Sequence, residues 1–116
     1  MAKYTYQQKL TDTGYCDERG AGFCASATCL PGAEYGLVTL CVKGNILNIY
    51  DTDMRGNLGE LLYKVELKNI KNLKIRMLWV FSQVLKFEYE GCVYSFTNFL
   101  GVKPALAVIE EESKRS

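Results

Sequence analysis

The sequence contains no histidine. That removes the side chain that most often serves as general base, as physiological-pH switch and as metal ligand. Proline is scarce: two residues stand against eight tyrosines and five phenylalanines, a balance suited to the pleated, half-buried surfaces of β-structure. Excess charge of either sign is missing, because 14 Lys and Arg against 13 Asp and Glu leave a net +1. No overall field draws in nucleic acid or an anionic membrane, so any anion binding must come from a local patch. Long apolar runs are missing as well. No window approaches the roughly 18 consecutive apolar residues of a membrane span, and the opening MAKYTYQQKL lacks the apolar run of a secretory signal. These absences point to a soluble cytoplasmic protein whose thiols are kept reduced.

Catalytic signatures are absent too. There is no GxSxG, no glycine-rich phosphate loop and no HExxH, and a cysteine nucleophile would have no histidine to activate it. The expectation is a non-enzymatic protein with no cofactor.

What is present describes one domain. At 116 residues with 48% hydrophobic side chains, the chain buries enough surface for a core of its own. Residues 1–22 are polar and glycine-rich and read as an N-terminal arm; residues 23–116 form the domain. From Phe23 the chain breaks into short strand-like runs: Phe23 to Leu30, Tyr35 to Lys43, Ile46 to Tyr50, Leu61 to Leu67, Asn72 to Val80, Val84 to Tyr89 and Cys92 to Phe99. Gly44-Asn45 and Glu90-Gly91 mark tight hairpin turns, and Ser82-Gln83 a further turn. Val102, Ala105, Leu106 and Ile109 recur at helical spacing on one face, followed by the polar Glu110, Glu111, Glu112, Lys114 and Arg115. The pattern predicts a mainly β fold of about seven antiparallel strands capped by one C-terminal amphipathic helix. Its expected core is Leu40, Val42, Leu47, Ile49, Leu67, Ile70, Ile75, Phe87 and Phe96, with Leu106 and Ile109 as the plug.

This order of elements resembles the pleckstrin-homology-like (PH-like) superfold, in particular its GRAM-like and bacterial PH-like branch. The resemblance runs through Leu37 to Asp51 as an early hairpin, Tyr63 to Ile75 as a strand–corner–strand step, Leu85 to Phe96 as the last hairpin, and the terminal helix. It implies a binding module. In phosphoinositide-binding members the basic residues lie on the first two strands and their loop; here that loop, Pro31 to Tyr35, holds no Lys or Arg and one Glu. The resemblance therefore implies a protein or peptide partner, captured by strand addition at an open sheet edge.

Three sets of residues carry further readings. Cys16, Cys24 and Cys29 are spaced C-x7-C-x4-C and lack the paired knuckle of structural zinc. Cys41 or Cys92 would have to complete a tetrahedron, so the expectation is no metal and cysteines packed as small apolar residues. The odd count of five disfavours a set of structural disulfides. Asp51, Asp53, Asn57 and Glu60 invite comparison with a calcium loop, but Arg55 and Leu62 occupy ligand positions, so a plain turn is expected. Lys64, Lys68, Lys71, Lys74 and Arg76 form the strongest local charge feature. They read either as an anion or lipid patch, attaching the protein to anionic membrane, or as a solvated face whose lysines discourage edge aggregation. Trp79 and Phe81 are the candidate partner contacts, since large aromatics anchor interfaces. Self-association into a structural homo-oligomer is the third reading.

Overall fold

Two turns set the register of the fold. Strands β2 (Gly36–Lys43) and β3 (Ile46–Thr52) pair so that Lys43 faces Ile46. Only two residues lie between, and Gly44 takes φ +64°, the positive value a primed hairpin turn requires. Strands β6 (Ser82–Tyr89) and β7 (Cys92–Phe99) close in the same way over Glu90 and Gly91, at φ +51° and +80°. Both central residues are left-handed, as a type I′ turn demands.

The computed structural model describes residues 12–17, 21–31, 36–55, 57–79, 82–99 and 103–114. With β1 (Gly22–Cys29), β4 (Leu58–Glu66) and β5 (Lys71–Trp79), the strands form a seven-stranded antiparallel sheet in the order β4-β3-β2-β1-β7-β6-β5. Helix α1 (Lys103–Lys114) follows. The fold is mainly β, as the sequence predicts. β4 begins at Leu58 rather than Leu61 because β3 runs on to Thr52, which pairs with Leu58 and shortens the loop. Ser82 and Gln83, expected as a turn, already belong to β6, where they face Trp79 and Met77.

Alternation assigns one face of each strand to the core. Phe23, Leu40, Leu47, Ile49, Leu85, Phe87 and Phe96 are all buried there, each contributing about 2 kcal/mol of transfer free energy. Phe87 stacks on Tyr94 at 5.1 Å, and Tyr94 meets Tyr63 edge-on at 5.7 Å. The Tyr63 hydroxyl donates to the Pro31 carbonyl, tying β4 to the end of β1. Between β4 and β5 the chain turns through a 3-10 segment, Leu67–Asn69. Leu67 and Ile70 point inward at this corner, and α1 lies against the 3-10 segment and β2. Ala105, Leu106 and Ile109 cover the core as the sequence predicts; Val102 lies outside the described residues. Glu112 is buried at 3% exposure because it continues the Ala105–Ile109 stripe one turn on. None of the described helices is long and apolar enough to cross a membrane.

The arm is more than a polar lead-in. Cys16 is buried against Cys41 on the outer face of the sheet, with Tyr15, Tyr50 and Leu58 around them. Cys41 thus points away from Leu40 and Val42 but not into solvent, and the face that alternation marks as outer is itself covered.

Two outcomes follow. Ile109→Ala opens a cavity beneath the helix and lowers unfolding free energy by about 2–5 kcal/mol; Met54→Ala, on a side chain 98% exposed, changes it by less than about 0.5 kcal/mol. Urea midpoints measure both. Burial pushes the Tyr94 hydroxyl up to about 12, so the folded state holds that proton more tightly than the unfolded chain. Stability is therefore full below about pH 10 and falls as pH rises towards about 12. In Tyr94→Phe the alkaline loss between about pH 10 and pH 12 is smaller.

Candidate functional site: a basic face on the terminal hairpin

A β-bulge decides what the outer face of β5 displays. Lys71 faces Glu88, but the next pair is Lys74 with Lys86, so two residues of β5, Asn72 and Leu73, span one of β6. Asn72 absorbs the extra residue at φ +55°, a conformation asparagine tolerates better than most residues. Its side-chain amide donates to the Glu88 carboxylate, which fixes the bulge to the neighbouring strand. Without the bulge, alternation from Lys71 would turn Leu73 and Ile75 outward. With it, Leu73 and Ile75 pack against the core while Lys74 and Arg76 join Lys86 outside.

Directly opposed residues share a face, so Lys74 and Lys86 stand side by side, with Arg76 opposite Val84 one step along. These four residues line a depression of about 240 Å³. It continues into one of about 310 Å³ lined by Asn72, Lys74, Lys86, Phe87, Glu88 and Val93. Glu88 is the acid of this face, and it sits at the Lys71 end, already holding Asn72. Among the described residues, no carboxylate forms an ion pair with Lys74, Arg76 or Lys86. Like charges directly across a strand pair repel, so the arrangement costs stability and is suited to an anion that would relieve it.

The five predicted basic residues divide among three places. Lys74 and Arg76 join Lys86, which sequence reasoning missed; the only signal for it was an outward position in the Leu85–Phe87 alternation. Lys68 and Lys71 flank a second depression of about 420 Å³ with Asn69, Ile70, Tyr89 and Glu90. Lys64 faces Asn48 on the outer side of β3, at the far end of the strand order. Trp79 ends β5 opposite Ser82; Phe81 lies outside the described residues. The acidic loop serves itself: Asp53 accepts the N–H groups of Arg55 and Asn57 at 2.8 and 2.9 Å, and its other oxygen accepts the Asn57 side-chain amide. That is an Asx-type turn, and it occupies the carboxylate.

No protein-family model matches the chain, and no curated protein matches it significantly. Among solved structures it is similar to the crystal structure of the pleckstrin homology domain of ArhGAP27. The TM-score is 0.59 at 13% sequence identity, over 80% of this chain and 97% of that one. The fold is PH-like. At that identity the likeness is one of architecture; this chain's own strand order puts β4 and β5 outermost in the described sheet.

Lys86→Glu converts the opposed Lys74–Lys86 pair to an attractive one and raises stability by about 0.2–1 kcal/mol at low ionic strength. The gain shrinks as salt screens it. Urea denaturation at low and high salt reads the difference.

Proposed function

We propose that this protein is a non-enzymatic PH-like binding module for an acidic protein or peptide segment. The segment adds as an extended strand along β5 and presents carboxylates or phosphates to Lys74, Arg76 and Lys86. The observation that carries this reading is the opposed Lys74–Lys86 pair beside Arg76, on a strand that pairs only with β6 among the described residues. An edge strand offers a ladder of backbone groups to an incoming chain, and the three cations supply the sign preference. Trp79, at the end of the same strand, would anchor the far end of the segment.

Magnitude favours a peptide over a membrane. Each Lys or Arg near an anionic surface contributes about 1 kcal/mol, so three give about 3 kcal/mol, short of even millimolar affinity. Lys64, which would extend such a patch, lies at the other end of the sheet. Strand addition adds backbone hydrogen bonds to the same charges.

The other edge favours a second reading, self-association. On β4, Leu61 and Leu62 are exposed at 40% and 38%, and exposed apolar side chains on an edge strand invite pairing between copies. Light scattering on Leu61→Lys tests it: an oligomer that persists in the variant excludes this edge.

The test of the main reading uses a labelled peptide of alternating Glu and Val, with its Lys–Val counterpart as control. The acidic peptide binds, and Lys74→Glu with Arg76→Glu weakens it at least about tenfold, as loss of two charge-assisted contacts requires. Equal binding of both peptides, or binding untouched by the two substitutions, refutes the reading. Vesicles rich in phosphatidylserine form the second arm; tighter binding to them than to the acidic peptide assigns the face to membrane instead.

A further inference from the structure

The arm and the sheet bring two thiols together in a place the binding face does not use. Cys41 stands on the outer side of β2, across from Gly22 on β1 and Asn48 on β3. Cys16 is laid over it, and both are buried, at 3% and 0% exposure. The two side chains pack against one another in a small buried cluster of their own, and both cysteines are free thiols. The arm's backbone is fastened at the same spot: the Asp17 N–H donates to the Val42 carbonyl at 3.3 Å, one residue on from each cysteine. The Gly44 N–H donates to Asp17 Oδ2 at 2.9 Å, and Lys43 Nζ donates to the Gly14 carbonyl at 3.2 Å. Tyr15 caps the pair by meeting Tyr50 edge-on at 5.0 Å. The backbone contact lies one residue beyond each cysteine, so the same stretch that fastens the arm also brings the two thiols together.

We propose that Cys16 and Cys41 form an oxidisable thiol pair that a peroxide closes into a disulfide, clamping the N-terminal arm to the outer face of β2. The two thiols are not equivalent. Interaction with the Cys41 side chain, aided by the Val42 backbone, holds the Cys16 thiol below its ordinary value against the effect of burial. Interaction with Cys16 and burial push Cys41 up. Cys16 is therefore the attacking sulfur and Cys41 the resolving one. In the first step Cys16 thiolate attacks hydrogen peroxide; an S–O bond forms, the O–O bond breaks, and hydroxide leaves to be protonated to water. In the second, Cys41 gives up its proton and attacks the Cys16 sulfenic acid; the S–S bond forms and the S–O bond breaks, releasing a second water. Two thiols lose two electrons in total and one peroxide is reduced to two waters. The Asn48 side-chain oxygen, on the residue directly across from Cys41, is buried without a hydrogen-bond donor, leaving an acceptor beside the pair for the sulfenic O–H.

Oxidant reaches the buried pair when the arm lifts. Local opening of residues 12–17 costs less than global unfolding. Once formed, the disulfide removes that opening and closes the loop from Cys16 to Cys41, which lowers the entropy of the unfolded chain.

The experiment treats the full chain with hydrogen peroxide, blocks free thiols with N-ethylmaleimide, and maps cross-links by mass spectrometry after chymotryptic digestion, which separates Cys41 from Cys24 and Cys29. The expected product joins the Cys16 and Cys41 peptides, raises Tm by on the order of 10 °C, and reverts with dithiothreitol. Cys16→Ser shows no peroxide-dependent rise. Recovery of Cys16 and Cys41 as separate alkylated or sulfinic peptides, or cross-links to Cys24, Cys29 or Cys92 in their place, overturns the proposal. The wild-type cross-link map decides the matter even if Cys16→Ser fails to fold.

Discussion

One backbone residue, Asn72, governs what this protein shows to its surroundings. Side chains on a strand alternate with a period of two, so a single extra residue exchanges the two faces of everything beyond it. At φ +55° Asn72 supplies that residue, and its amide is held by Glu88 on β6. Leu73 and Ile75 thereby turn into the core, and Lys74 and Arg76 turn out beside Lys86. The same local geometry serves packing and surface charge at once. A change that removed the bulge would expose two apolar side chains and bury two cations, which costs far more than either a cap or a surface contact.

The rest of the fold supports that strand from a distance. Primed turns at Gly44 and Gly91 fix the register of their hairpins. The corner residues Leu67 and Ile70 redirect the chain from one end of the strand order to the other, and α1 seals the core at that corner with Leu106 and Ile109. Because β4 and β5 end up as outer strands among the described residues, the described sheet has two edges of opposite character. One carries exposed Leu61 and Leu62, the other Lys74 and Arg76. On the outer side of the sheet, Tyr15 and Cys16 pack on Tyr50 and Cys41.

Alternation and turn chemistry made most of this legible in the sequence. Val38, Leu40 and Val42 fall on the core face as their spacing predicts, the two hairpin turns lie where Gly44-Asn45 and Glu90-Gly91 put them, and Ala105, Leu106 and Ile109 form the helix's inner stripe. What stayed hidden depended on contacts between segments distant in the chain. Lys64 and Lys74 are ten positions apart in sequence and sit on opposite outer strands; only the strand order reveals that. Lys86 becomes a partner of Lys74 through the bulge, and a positive φ at an asparagine leaves no periodic signature. Cys16 meets Cys41 because a glycine-rich arm, which reads as featureless, folds back over a face that alternation marks as solvent-exposed.

The central claim, that the β5–β6 face recognises an anionic segment, is tested most directly by backbone NMR titration with an acidic peptide. The account predicts amide shifts concentrated on β5 and β6 around Lys74, Arg76 and Lys86, spreading along β5 on the side away from β6. Shifts concentrated instead near β1 and β2 around Pro31 and Gly36, with β5 and β6 unmoved, would contradict it.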